Sequence, residues 1–336
     1  MKRAITIAGG GLAGLSLGIA LRHRGVPVDL HEAGSYPRHR VCGEFISGVR
    51  PAVLESLGIA DLLVGAEKQR TTAWFYGGEK IFAAALPVSA RGISRHVLDD
   101  AMRRRFQELG GALHERSRQQ PEDREGLVWC AGRIPARGEW IGLKCHVHNM
   151  PLKADLEMHL GRNGYAGLAR VGSDTVNVCG LFRLDKTLDG TGLLQKHLRR
   201  GGLSSLADRM EAAGVDESSL AAVAGFRLGW QRSRPEMMTL GDACGMIPPF
   251  TGNGMSMAFE SAALAVTPLL RYATGAEDWK NTGKTLRGQL QRKFSLRLIC
   301  AQAMHPFLTR PRGQAFLAAV TRSKLLPFNF CFHALR

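Results

Sequence analysis

The chain has 336 residues, 45 Lys and Arg against 29 Asp and Glu, 45% hydrophobic and 22% charged residues, which is the composition of a folded protein and excludes a disordered one. That length predicts two domains, or one large domain with an inserted layer, because single cores stop growing near roughly 250–300 residues. Seven scattered cysteines with no CxxC pair and no Cys/His cluster at zinc spacing argue against a disulfide framework or a metal, and no apolar run approaches the ~20 residues of a bilayer span.

Met1-Lys2-Arg3 ahead of an apolar, glycine-rich stretch mimics a secretory signal, but the stretch carries a nucleotide-loop pattern and no convincing cleavage site. The reading is a cytoplasmic enzyme, with peripheral membrane contact as the alternative. Residues 4–8 form a short apolar run suited to a buried parallel strand. It leads into Gly9-Gly10-Gly11-Leu12-Ala13-Gly14, which opens a helix through Leu21. Gly9 permits the tight turn, Gly11 lets a pyrophosphate approach the backbone at the positive helix end, and Gly14 lets helix pack on strand. A second strand over residues 26–31 ends at Glu32, about 20 residues past the loop, where a carboxylate accepts ribose hydroxyl hydrogen bonds. This much predicts dinucleotide binding and leaves NAD and FAD both open.

Farther along, alternation in residues 167–171 and 175–179 predicts two strands joined by a Gly172-Ser173-Asp174 turn. Residues 238–255, Met-Thr-Leu-Gly-Asp-Ala-Cys-Gly-Met-Ile-Pro-Pro-Phe-Thr-Gly-Asn-Gly-Met, read again as strand, loop and helix start. Leu286, Leu290, Phe294, Leu298 and Ile299 recur at helical spacing with Arg287, Arg292, Lys293 and Arg297 between them, an amphipathic basic helix. The net charge of +16 is lopsided: from Trp279 onward there are eleven Lys and Arg and no Asp or Glu. Such a segment favours an anionic membrane surface or an acidic carrier protein, and no motif for nucleic acid accompanies it.

The N-terminal glycine loop together with Gly241-Asp242 and the loop after it resembles the FAD-dependent flavoprotein superfamily of geranylgeranyl reductases and aromatic-hydroxylase-type (p-hydroxybenzoate hydroxylase-like) monooxygenases. The resemblance implies an α/β protein: a Rossmann-like (glutathione-reductase-type) FAD-binding domain with an inserted β-sheet substrate layer and a C-terminal helical segment. The flavin domain would be assembled from residues 1–65, 92–135 and 225–275, the substrate layer from 66–91 and 136–224, and the basic segment from 276–336. It further implies FAD contacts at Gly9, Gly11, Leu12, Ala13, Gly14 and Glu32. Gly241 and Asp242 would lie at the pyrophosphate and ribityl chain, and Pro249, Gly252, Asn253, Gly254 and Met255 near the flavin ring.

Three segments resemble the reductase side of the family. Arg38-His39-Arg40-Val41-Cys42-Gly43-Glu44 places Arg40 and Cys42 near flavin, and Ile93-Ser94-Arg95 places Arg95 at a helix start on the cofactor. Gly164-Tyr165-Ala166-Gly167-Leu168, with Asn177-Val178-Cys179-Gly180, puts Tyr165 on the substrate face. There are departures. Gly167 stands where those reductases carry Trp, so substrate identity is not carried over; the Asp of the hydroxylases' mid-chain Asp-Gly is absent from Val128-Trp129-Cys130-Ala131-Gly132-Arg133; and the Trp-x-Trp-x-Ile-Pro signature of tryptophan halogenases is missing.

The leading expectation is therefore a geranylgeranyl-reductase-like FAD oxidoreductase that transfers hydride to a hydrophobic isoprenoid, polyketide or carrier-bound substrate. NAD(P)H is its electron donor, and Cys42 and Tyr165 are the candidate acids. The alternative is a FAD monooxygenase of an aromatic or polyketide-like substrate, and a third reading makes the chain a non-catalytic flavin-binding interaction protein.

Overall fold

The computed structural model describes residues 2–133, 136–162, 164–231 and 237–336. The N-terminal third forms β1 (Ile5–Ala8), α1 (Leu12–His23), β2 (Val28–His31), β3 (Phe45–Ile46), α2 (Pro51–Leu57), β4 (Glu67–Tyr76), β5 (Glu79–Gly92) and α3 (Arg95–Glu108). Next come β6 (Ala112–His114), β7 (Leu127–Trp129), β8 (Trp140–His148), β9 (Leu156–Gly161), β10 (Gly164–Arg170), β11 (Thr175–Arg183), α4 (Leu193–Arg200), α5 (Ser204–Glu211) and β12 (Gly214–Ala224). The chain continues through β13 (Gly229–Trp230), β14 (Met238–Thr239), β15 (Gly245–Met246), α6 (Gly254–Ala273), α7 (Trp279–Thr309), α8 (Pro311–Arg322) and α9 (Phe328–Ala334).

Two sheets organise these elements. The first has the order β14-β7-β1-β2-β6 with every pair parallel, as a sheet covered on both faces requires. Helix α1 is buried from Leu12 through Leu21, on all sides rather than along one stripe, because it lies between this sheet and helices α3 and α6. The second sheet has the order β12-β8-β11-β10-β9-β4-β5-β3, antiparallel except for the parallel β4–β9 pair. The predicted turn at residues 172–174 does join β10 to β11, with Arg170 opposite Val176.

Period-two alternation gives this second sheet two distinct faces. Leu143, Cys145, Val147, Val176, Val178 and Phe182 point outward and are sealed by Leu194 and Leu198 of α4 and Leu206 and Met210 of α5. The other face, with Lys144, His146, Asn177, Cys179 and Tyr165, turns toward the segment 39–45 and the loop at Phe250. The sequence-derived boundary at residue 135 falls on residues 134–135, outside those described.

Close helix packing in the first unit depends on small residues. A Cβ at Gly18 of α1 would lie 2.9 Å from the ring of Phe106 in α3, and one at Gly111 would lie 2.3 Å from it. Phe106 is fully buried, so Phe106→Ala should cost about 3–5 kcal/mol in urea unfolding. An unchanged midpoint would contradict this packing.

Candidate functional site

Strands β1, β2, β7 and β14 run parallel and end at one edge, where Gly9, Glu32, Cys130 and Gly241 follow them. This carboxyl edge is where open α/β sheets bind ligands. Gly9 has φ +106°, and a Cβ there would lie 2.4 Å from the Cys130 carbonyl oxygen; one at Gly14 would lie 2.0 Å from the Gly9 carbonyl oxygen. These two glycines are demanded by the fold itself. Gly11 is different, for its Cβ would meet only the Arg95 guanidinium, at 4.0 Å, and a Cβ on Gly254 would meet nothing within 4 Å.

Both glycines stand at helix starts whose caps, Gly11 for α1 and Asn253 for α6, contribute no side-chain capping bond. The first amides of two helices therefore face this edge without a capping acceptor, an arrangement that favours anionic groups. Leu12, Ala13 and Met255 bury their side chains in the core, so they offer only backbone N–H groups. Gly241 brings the two segments together, its Cβ position lying 3.1 Å from that of Ala13.

A chain of ion pairs crosses the mouth of the loop. Glu32, 3% exposed, accepts N–H bonds from Gly10 and Gly34, both 2.9 Å, and pairs with Arg38 at 2.8 Å and Arg40 at 3.3 Å. Burial alone would raise its carboxyl; Arg40, the Gly34 N–H, Arg38 and the Gly10 N–H together bring it below the ordinary value. Arg40 continues to Asp99 at 2.9 Å, and fully buried Asp99 holds Arg95 through two bonds of 2.6 and 2.7 Å.

Asp242 is open to solvent along one side yet enclosed by protein around it. Burial pushes its carboxyl up, while Arg95 and Arg133 pull it partly back. Arg95 thus reaches toward Gly11, Asp242 and Cys42 at once. Three buried polar atoms near this edge, Arg38 Nε, Arg133 Nε and Asn253 Oδ1, have no hydrogen-bond partner among the described residues.

The residues expected near the ring lie where the two units meet. Pro249 is exposed at the start of a short 3-10 turn, and Gly252, at φ +64°, stands against the ring of Phe45. Asn253 Nδ2 donates to the Leu335 carbonyl, and the Ser256 hydroxyl donates to the Ser47 carbonyl. Tyr165 is buried, and its hydroxyl accepts the Phe250 N–H at 3.0 Å. Burial pushes its pKa up, and burial likewise raises the Cys42 thiol. Gly167 leaves a gap in the sheet face, since the nearest atoms to a Cβ there are carbonyl oxygens 3.9 Å away.

A polar cluster beside Gly167 went unread in the sequence. His146 Nε2 lies 2.6 Å from Glu44 Oε2, the wholly buried Lys144 ammonium lies 3.6 Å from Glu44 Oε1, and it donates to His39 Nδ1 at 2.9 Å. Glu44 Oε1 also accepts the Arg95 N–H, so the cluster is tied to the helix start beside the loop. His39, His146 and Asp216 bring ligand atoms within 4.8 Å of one another, but Lys144 on His39 Nδ1 disfavours a cation there. Asp99 had a signal, the i,i+4 spacing from Arg95. Lys144 and His146 had none, because their partners stand about a hundred residues earlier in the chain.

Two outcomes follow from this geometry. Gly11→Val should leave the unfolding transition unchanged, since the space is open, yet abolish nucleotide retention seen by absorbance. Loss of folding would show that the space is structural. Separately, His39 is lowered to about 4 by burial, then by Lys144, His96 and His146. His305 is lowered to about 4 by burial, then by Arg310. Both rings stay neutral in the fold where the unfolded chain takes up protons. Their stabilisation is present above the ordinary value of 6.5 and is lost as pH falls toward about 4. Melting temperature should drop across that window, and less steeply in His305→Gln; equal slopes would contradict the assignment.

No family model matches the sequence, and no curated protein matches it. Solved structures do share its fold. Klebsiella pneumoniae HpxO complexed with FAD and uric acid superposes with a TM-score of 0.76 at 15% identity, covering 99% of this chain and 96% of that one. The p-nitrophenol 4-monooxygenase PnpA of Pseudomonas putida DLL-E4 gives 0.73 at 16% identity, covering 99% of both chains. The flavin-dependent brominase Bmp2 gives 0.73 at 17%, covering 99% of this chain and 93% of that one, so a halogenating protein shares the fold although the tryptophan-halogenase signature is absent here. The chain therefore shares its fold with these three proteins.

Proposed function

We propose that the chain binds FAD and acts as a monooxygenase of a hydrophobic aromatic or polyketide-like substrate, with NAD(P)H as electron donor. The observation that carries the choice over a geranylgeranyl-reductase-like reaction is the state of the two candidate acids. The Cys42 thiol and the Tyr165 hydroxyl are both pushed up by burial, which makes each a weak proton donor. Reduction of a C=C bond needs a proton donor at the substrate, whereas oxygen insertion places no such demand on the protein. The likeness to a p-nitrophenol monooxygenase and to HpxO with FAD and uric acid supports the same reading.

The residues present fit FAD. Open space over Gly11 and the uncapped start of α1 suit the pyrophosphate, with Arg95 beside it. Asp242, half enclosed beside Arg95 and Arg133, suits the ribityl hydroxyls, and the start of α6 offers N–H groups to the electron-rich edge of the ring. Glu32 already has four donors, so a ribose hydroxyl replaces one of them, most simply the half-exposed Arg38. When bound, FAD accepts electrons from the nicotinamide and activates dioxygen.

The chain supplies position and dryness. Trp74, Met158, Gly167 and Cys179 sit in register on one sheet face, giving an apolar floor with a gap at Gly167. Such a floor excludes water and accepts a flat apolar substrate. Lys144, His146, Glu44 and His39 border it as linked hydrogen-bonding groups that would orient a polar edge of the substrate.

The test reduces the FAD-loaded protein anaerobically with NADPH or NADH, then admits oxygen-18 gas with a panel of phenolic and polyketide-like compounds. One labelled oxygen atom in a product is expected; oxygen-independent saturation of a C=C bond would establish the reductase, and a flavin that no donor reduces would favour the interaction protein. Tyr165→Phe should retain turnover within a few-fold. A loss of about 100-fold or more would assign Tyr165 the acid role that this reading denies it.

A further inference from the structure

Helix α7 has two unlike faces. Leu290, Phe294, Leu298, Ala301 and Leu308 are buried in the protein, while Arg292, Leu296, Ile299, Ala303 and Phe307 are exposed. At 100° per residue these five fall within an arc of about 80°, a stripe bordered by the exposed Gln291, Lys293 and Gln302. Leu296 is 70% exposed, Ile299 60%, and Phe307 41%. The stripe crosses to α8 through Phe316, 59% exposed, whose ring centroid lies 5.8 Å from that of Phe307. Contiguous bare Leu, Ile and Phe on a surface mark a contact that the isolated chain does not satisfy.

Charge identifies the occupant. Lys293 and Arg297 share the single carboxylate of Glu260, and Arg322 pairs with Glu79. Arg292, at the start of the stripe, and Arg310 and Arg312, beyond its end, make no ion pair among the described residues, and no carboxylate belongs to α7, α8 or α9. At the α7–α8 elbow Arg310 lines a cleft of about 440 Å³ with Arg162, Arg183, Lys186 and Arg200. Arg183 pairs with Glu139 and Arg200 with Asp185, leaving Arg162, Lys186 and Arg310 without a carboxylate partner among the described residues. Bare apolar side chains bordered by uncompensated arginines match the acyl and phosphate layers of an anionic bilayer.

We propose that the α7–α8 elbow docks the protein onto anionic membrane. The Leu296–Ile299–Phe307–Phe316 stripe enters the headgroup boundary, and the arginine cleft receives lipid phosphate. This surface is independent of the flavin reading, for it uses no residue of the cradle. No helix is long and apolar enough to cross a membrane, so the contact is interfacial.

The full chain is floated with vesicles of phosphatidylcholine alone or mixed with phosphatidylglycerol, at low and at moderate salt. Binding should require phosphatidylglycerol and weaken with salt. Phe307→Ser/Phe316→Ser should reduce it roughly tenfold, and Arg310→Gln/Arg312→Gln roughly 30-fold, with unfolding transitions unchanged in both. Equal flotation with both vesicles, or a phenylalanine variant that floats like the parent, would overturn the proposal. So would a parent dimer that the same variant converts to monomer, or arginine-dependent binding of an acidic carrier protein in place of vesicles.

Discussion

At the end of β1 the backbone of Gly9 passes so close to Cys130 and Ala131 that a Cβ would lie about 2.4 Å from each, and Gly14 comes as near to the Gly9 carbonyl. This contact sets where α1 begins and how tightly it lies on the parallel sheet. It also leaves the α1 N-terminus pointing across the strand ends rather than away from them. Because two glycines absorb the closeness, the third, Gly11, is left with open space above it. The same edge then receives Gly241 and the start of α6 from more than two hundred residues later, so that two uncapped helix ends converge. Converging positive helix ends need an anion to be well satisfied.

Around that edge the protein has buried an unusual amount of charge. Glu32, Arg40, Asp99 and Arg95 form one connected series, and Glu44, His146, Lys144 and His39 form a second, joined to the first through the Arg95 N–H. Buried ions are expensive unless every member is paired. Here the pairing is nearly complete, and among the described residues the unpartnered buried atoms near it include Arg38 Nε, Arg133 Nε and Asn253 Oδ1. A network of this kind costs stability relative to apolar packing and gives orientation in return. That trade is expected at a site where a charged ligand must be held in one pose.

The glycine loop was legible because its reasons are local: strand, turn, helix and three small residues within six positions. The second sheet was legible in part through the alternation of β10 and β11. The floor cluster was not, since Lys144 and His146 sit in a strand that reads as ordinary and meet Glu44 and His39 only after the chain has folded. Tyr165 shares a sheet face with Lys144 and His146, and its hydroxyl oxygen accepts the Phe250 N–H, a contact no spacing reveals. The burial that raises Tyr165 and Cys42 supports the proposed oxygen insertion over the reductase reading. The C-terminal charge was visible at once. Its meaning was not, because only the fold shows which basic side chains pair with Glu79 and Glu260 and which, among the described residues, stand without a carboxylate beside bare phenylalanines.

The most direct measurement is the stoichiometry of flavin: the full chain is incubated with FAD, freed of excess, and denatured, and the released cofactor is quantified by absorbance and chromatography. One FAD per chain is expected, with NAD failing to compete for the site. A chain that retains no FAD, or that exchanges it freely for NAD, would contradict the assignment of this sheet edge as a flavin site.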